Sequence, residues 1–151
     1  MPARQVRSIR IWCVLFVCLS PVGCGKKGPS TEPLTPTEEN LETIGEAYTR
    51  ATIRLNRPPE NLNDLLPSLR EGRGKPDELL RSPNDGENFE IVWGVELRML
   101  KAKGNDIPVI AYEKKGKGGK RHVLRGRSGL LVLTETELRS AKFPEGYKLS
   151  F

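Results

Sequence analysis

The hydrophobic pattern of the chain changes its period once, near residues 82–86, and this change constrains the fold more than any other feature. Before it, apolar residues recur at spacings of three and four from Leu41 to Leu55, as on one face of an α-helix. After it, apolar and polar residues alternate over residues 89–93, as in a half-buried strand. The pattern predicts an α+β fold, in which an N-terminal amphipathic helix packs on a small antiparallel sheet of about three or four strands.

The long helix has recognisable start and stop signals. Thr35 can cap its N-terminus, Pro36 suits the first helical position, and Glu38 completes a capping box. Pro58-Pro59 ends the helix. Gly45 borders the apolar face and has no side chain, so we expect another part of the backbone to approach the helix there.

Short segments with strand or helix character fill the rest of the chain. Strands are predicted over residues 89–93, 108–113, 121–125 and 130–133, with a Gly-rich hairpin loop at 114–120. Phe89, Ile91 and Trp93 are expected to form the core face beneath the helix. Short helices are predicted near residues 61–69, at 76–80 and from Thr134 to about residue 141, where Thr134 begins a second capping box. Aromatic residues of the C-terminal tail are expected to pack loosely: Phe143, Tyr147 or Phe151.

The N-terminus has the composition of an export signal. Residues 1–10 include three arginines and no acidic residue, and residues 11–19 are an unbroken apolar run. A membrane-spanning helix needs about 20 apolar residues, so this run is too short to predict a span. Small or turn-forming residues follow, and then the chain becomes polar and rich in Gly and Pro. This order predicts a signal peptide over residues 1–23.

Val22-Gly23-Cys24 resembles the end of a bacterial lipobox, although Pro21 stands where that family usually has Leu. The resemblance implies that Cys24 is lipidated and becomes the mature N-terminus, followed by a tether over 24–34 and one folded domain over 35–151. Acyl chains contribute about 0.8 kcal/mol per buried methylene, enough for a multiply acylated Cys24 to hold the chain on a membrane. The expected location is the periplasmic side of the inner or outer membrane. The alternatives are a plain signal peptide with an incidental cysteine, or an uncleaved short anchor.

Three segments resemble the soluble part of pilin-like proteins, most of all the major pseudopilins of type II secretion, and the arrangement is similar to that of small bacterial lipoproteins of unknown function. The segments are Asn40-Leu41-x-x-Ile44-Gly45-x-Ala47-Tyr48, Pro58-Pro59-x-Asn61-Leu62-x-Asp64-Leu65-Leu66 and Ser82-Pro83-x-Asp85-Gly86-x-x-Phe89-x-Ile91-x-Trp93-Gly94. The resemblance covers roughly residues 37–133 and implies a pseudopilin-like domain. Pilin-like proteins assemble filaments through a long apolar N-terminal helix, whereas here the apolar run precedes Cys24. The resemblance therefore implies the fold rather than filament assembly.

Seven basic residues fall within fourteen positions around the predicted hairpin and could contact an anion: Lys114, Lys115, Lys117, Lys120, Arg121, Arg125 and Arg127. The segment lacks the residue order of a P-loop. Nucleic-acid binding is disfavoured because Tyr112 is the only aromatic residue nearby for base stacking. A hairpin tip kept soluble by lysine is the simpler interpretation, and contact with anionic lipid head groups or a cell-wall polymer is the alternative.

The sequence contains no recognisable catalytic, cofactor or metal motif. His122 is the single histidine, and a general base would need the fold to bring it a nucleophile or an orienting carboxylate. Acidic residues beyond position 97 are not clustered as a calcium loop requires. We therefore expect a non-enzymatic, membrane-tethered envelope lipoprotein that acts through protein or envelope contacts. The alternatives are a pseudopilin-like component of a secretion or fibre apparatus, and an anion- or nucleic-acid-binding module that uses residues 114–127. The oligomeric state is left open.

Overall fold

The predicted α+β architecture is confirmed by a computed structural model, which describes residues 33–97, 106–126 and 129–150. The elements are α1 (Pro36–Leu55), α2 (Leu62–Arg70), α3 (Pro76–Leu79), β1 (Glu90–Ile91), β2 (Val109–Tyr112), β3 (Lys120–Arg125), β4 (Gly129–Thr134) and α4 (Glu135–Arg139). The strands form one antiparallel sheet in the order β1-β2-β3-β4. The predictions for residues 1–32, including Cys24, and those for Arg127 and Phe151 concern positions outside the described ranges.

Helix α1 begins where its local signals predict. The Thr35 side chain accepts a hydrogen bond from the Glu38 backbone N–H, and the Glu38 carboxylate accepts one from the Thr35 backbone N–H at 2.8 Å. The helix ends at Leu55, and Asn56 follows in the left-handed conformation with φ 55°. Thr134 and Glu137 form the same reciprocal cap on α4. None of the described helices has the length and hydropathy needed to cross a bilayer.

The apolar face of α1 covers one face of the sheet. Leu41, Ile44, Tyr48 and Ala51 are fully buried. The Tyr48 hydroxyl donates a hydrogen bond to the Val92 carbonyl and accepts one from a backbone N–H three residues further on, so it fixes the chain as it leaves β1. Burial raises the pKa of the Tyr48 hydroxyl to about 12.

The opposite face of the sheet is covered by α4 and the C-terminal tail. Leu138 of α4 is fully buried. The ring of Phe143 stacks on that of Tyr147 with centroids 5.0 Å apart and meets the ring of Tyr112 edge-on at 6.2 Å. Two of the three predicted tail aromatics therefore complete this second layer. The sheet lies between α1 on one side and α4 with the tail on the other.

The first strand differs from its prediction. It covers only Glu90–Ile91, and the chain turns at Trp93 and Gly94, where Gly94 has φ 74°. Phe89 and Ile91 are buried as expected, but Val92 is fully buried while Trp93 is partly exposed. The Val92 N–H still donates a hydrogen bond to the Ile110 carbonyl of β2 at 2.8 Å, and the alternation ends where the chain turns at Trp93 and Gly94.

The prediction that another part of the backbone approaches α1 at Gly45 is wrong. The atoms nearest to this position belong to the side chain of Leu124. A Cβ atom added to Gly45 would lie 2.9 Å from Cδ2 of Leu124 on β3, closer than two such carbons can approach. Leu124 is itself buried. The absence of a side chain at Gly45 therefore leaves room for the end of the Leu124 side chain against α1.

Replacing Gly45 with Val should reduce the free energy of unfolding by about 1 kcal/mol, since the added isopropyl group must displace the end of the packed Leu124 side chain. Urea denaturation measures the change. The matched control is Thr49→Val, which places the same side chain at an exposed position of α1 and should change stability by less than about 0.5 kcal/mol. Equal effects of the two substitutions would contradict this account of Gly45.

Candidate functional site

A polar cluster surrounds Glu113, which follows β2 and is fully buried. Its Oε1 accepts a hydrogen bond from the Ser82 hydroxyl at 2.7 Å. Its Oε2 accepts one from the His122 backbone N–H at 2.7 Å and lies 2.9 Å from Nδ1 of the same histidine. The Asn84 side-chain amide donates to Oε2 at 3.4 Å. The carboxylate thus joins the turn at 82–86 to both sides of the β2–β3 hairpin.

The order of these groups differs from that of a catalytic triad. In a triad the histidine lies between the hydroxyl and the carboxylate, so that it can remove the hydroxyl proton. Here the carboxylate of Glu113 lies between Ser82 and His122, and the Ser82 proton points to Glu113. The same Ser82 oxygen also accepts the Asn84 backbone N–H. These hydrogen bonds hold the turn in place.

A second carboxylate ties the same turn to the tip of the hairpin. Asp85 Oδ2 accepts hydrogen bonds from the backbone N–H groups of Lys115 at 3.0 Å and Gly116 at 2.7 Å, and Oδ1 accepts one from the Glu87 backbone N–H at 3.0 Å. Gly116 has φ 68°, and an added Cβ would lie 2.1 Å from the Lys120 carbonyl oxygen, so the loop requires glycine there. Burial alone would raise the pKa of Asp85, but the three backbone hydrogen bonds outweigh it and lower the pKa.

Six of the seven basic residues predicted to contact an anion lie within the described ranges, and their surroundings differ. Lys114 pairs with Glu90 at 3.2 Å, and Lys115 pairs with Glu87. Arg121 is buried, donates to the Lys114 carbonyl and lies 3.6 Å from Glu135. These three residues contact acidic or carbonyl groups of the domain itself.

Three other predicted basic residues lie within the described ranges. Lys117 and Lys120 are exposed near the hairpin tip. Arg125 is buried at the end of β3, and its Nε has no hydrogen-bond partner among the described residues. An anion-binding role therefore stays a prediction, and Lys117 and Lys120 are the two residues most available for it.

An open groove of about 770 Å³ runs between the outer flank of α1 and the far end of the sheet. Its floor is mostly apolar and includes Ile110 and Leu124. Ile53 lines its α1 wall and is 65% exposed, the largest exposed fraction among the large apolar side chains that the structure describes. An apolar groove of this size is the usual form of a binding surface.

Sequence reasoning missed Glu113 because a single acidic residue after an apolar strand has no motif. The available signal was its place in the hairpin: a loop at 114–120 brings residue 113 opposite the beginning of the next strand, close to His122. His122 was predicted to be a partly exposed strand residue. This prediction is confirmed: His122 lies in β3 and its side chain is 20% exposed. In the described part of the chain, no three His, Cys, Asp or Glu side chains converge to hold a metal ion.

Replacing Asp85 with Asn should reduce the free energy of unfolding by about 1–3 kcal/mol near neutral pH, because hydrogen bonds to a charged acceptor are lost. A lowered pKa in the folded state stabilises the fold above the unfolded pKa of about 3.9, and this contribution is lost as the pH falls through the folded pKa. The difference between the two proteins should therefore shrink below about pH 4. Urea denaturation across that range measures it, with exposed Glu145→Gln as the control. A difference that is independent of pH would contradict the role of the Asp85 charge.

No protein-family model matches the chain, and neither a curated protein nor a solved structure is significantly similar to it.

Proposed function

We propose that the chain is an exported envelope lipoprotein, anchored to a membrane through Cys24, whose folded domain is a binding module and not an enzyme. The observation that carries the anchor is the order of the N-terminal residues, in which an arginine-containing segment and a nine-residue apolar run lead to Val22-Gly23-Cys24. The capped start of α1 at Thr35 supports it, since the polar segment between Cys24 and Thr35 is long enough to separate the domain from a lipid surface.

The chemistry of the domain supports a binding role. Glu113, Asp85 and Ser82 use their polar atoms to hold the turn and the hairpin together. The surface offers instead an apolar groove beside α1 and the exposed strand β4, on which Val132 is 50% exposed. Exposed apolar surface of this kind is typical of sites that contact other polypeptides. The binding partner is therefore expected to be a protein chain.

The anchor can be tested by labelling cells with radioactive palmitate. The wild-type protein should incorporate label, and Cys24→Ser should lose it. Cys18→Ser is the matched control, because Cys18 lies within the apolar run and would leave with the signal peptide. Cys18→Ser should keep the label. The intact mass of the mature wild-type protein should correspond to an acylated chain that begins at Cys24. A Cys24→Ser protein that still carries label would overturn the proposed anchor.

A further inference from the structure

The C-terminal tail after α4 is attached to the sheet through few groups. Residues 143–150 contain no helix and no strand. Just before them, the Val109 backbone N–H of β2 donates a hydrogen bond to the Lys142 carbonyl at 3.0 Å. Beyond Lys142, no backbone-to-backbone hydrogen bond joins the described residues 143–150 to the rest of the domain. Side-chain groups therefore hold this segment, the strap, against the sheet.

The strap has internal structure of its own. Gly146 has φ 78°, and the Tyr147 backbone N–H donates a hydrogen bond to the Pro144 carbonyl at 3.1 Å. This turn brings Tyr147 over Phe143, and their rings stack in nearly parallel planes with an interplanar angle of 4°. Both contacts lie within the strap and do not depend on the sheet.

One side chain of the sheet, Tyr112 of β2, receives the contacts of the strap. Its hydroxyl lies 3.2 Å from the Tyr147 hydroxyl and accepts a hydrogen bond from the Ser150 backbone N–H at 3.4 Å. Its ring meets the Phe143 ring edge-on. Among the described residues, every hydrogen bond and ring contact between the strap and the rest of the domain ends on Tyr112. Leu149 adds apolar packing and is partly buried.

The strap is less buried than the helix before it. Leu138 of α4 is fully buried, whereas every described residue of the strap is partly or largely exposed. Burial, together with the hydrogen bond to Tyr112, raises the pKa of the Tyr147 hydroxyl, so the closed strap shields this group from water. Segments with few buried apolar contacts and few backbone hydrogen bonds open locally at a lower free energy than global unfolding. The strap has both properties.

We propose that the strap opens and closes as a unit on the folded domain, with the Tyr112 hydroxyl as its latch and the link between Lys142 and Phe143 as its hinge. In the closed state Tyr112 is fully buried. In the open state its ring and hydroxyl become accessible, together with the two rings of the strap. The strap thereby controls access to this face of the sheet.

This device goes beyond the proposed function, because it is a conformational change that requires neither lipidation of Cys24 nor a bound polypeptide. The palmitate experiment can therefore fail while the strap still opens, and the reverse also holds. The tests use the full chain purified in detergent.

Cleavage by chymotrypsin measures the opening, because the protease must take the Tyr147 side chain into its own apolar pocket before it cuts the next bond. Brief digestion is carried out over a series of urea concentrations below the unfolding transition, and mass spectrometry identifies each cut. Cleavage after Tyr147 should occur without urea and remove residues 148–151. Its rate should change little with urea, since opening of the strap exposes little surface.

Cleavage after Tyr48 gives the comparison within the same chain. Tyr48 is fully buried beneath α1, so the protease reaches it only when the domain unfolds. This cut should therefore accelerate steeply as urea rises. If the cuts after Tyr147 and Tyr48 have the same urea dependence, the strap does not open separately and the proposal is overturned.

Tyr112→Phe tests the latch, because it removes the hydroxyl and its two hydrogen bonds but keeps the ring. Each rate is divided by that of a free peptide with the same tail sequence. Cleavage after position 147 should then be at least about fivefold faster than in the wild type. Tyr48→Phe is the matched control: it also removes a buried hydroxyl with two hydrogen bonds, but on the other face of the sheet. It should leave this rate within about twofold of the wild-type value.

Tyr147→Phe removes the hydroxyl contact from the side of the strap, so it tests the latch even if Tyr112→Phe weakens the whole domain. Cleavage after position 147 should be at least about threefold faster than in the wild type. Unchanged rates in both variants would overturn the latch, and so would an equal acceleration by Tyr48→Phe.

Discussion

The buried carboxylate of Glu113 joins the turn at 82–86 to the β2–β3 hairpin. A charged carboxylate without partners costs several kcal/mol when it is removed from water, so such a group persists only where donors surround it. Here the donors come from two places in the chain: Ser82 and Asn84 of the turn, and His122 of β3. These hydrogen bonds fix the turn against the hairpin, and Asp85 adds a second connection at the hairpin tip.

The polar residues of this cluster use their hydrogen bonds to hold the turn against the hairpin. Ser82, Glu113 and His122 are the residue types of a catalytic site, yet their order directs the hydroxyl proton to the carboxylate and away from the imidazole. Several lysines and arginines near the hairpin likewise pair with acidic residues of the domain. Two apolar features remain accessible: the groove beside α1 and the edge of β4. Both favour contact with another polypeptide, which agrees with the proposed role of a tethered binding module.

Local features of the fold could be predicted from the sequence, because they depend on neighbours along the chain. The caps at Thr35 and Thr134, the apolar face of α1 and the hairpin loop all form where their residues indicate. The errors arise where distant segments meet. Val92 is buried and Trp93 is partly exposed, and the strand alternation ends where the chain turns at Trp93 and Gly94.

The ion pairs of Lys114 and Lys115 could not be predicted either, because they also join distant segments of the chain. The partners Glu87 and Glu90 lie more than twenty positions from the lysines that they contact. The role of Glu113 could be predicted only from the register of β2 and β3, because this register places its carboxylate next to His122. The turn at 82–86 then contacts the same carboxylate through Ser82. Hydrophobic periodicity contains no information about which charges pair across such a distance. The membrane anchor at Cys24 is a proposal from sequence order alone.

The most direct test of the structural role of Glu113 is a double-mutant cycle with Ser82, using Ser82→Ala, Glu113→Ala and the double variant. Free energies of unfolding from urea denaturation give the coupling between the two positions. Because the Ser82 hydroxyl and the Glu113 carboxylate share one buried hydrogen bond of 2.7 Å, we predict that the effects are non-additive by about 1 kcal/mol or more. Effects that add to within about 0.3–0.5 kcal/mol would show that the carboxylate does not hold the turn, and would contradict the account.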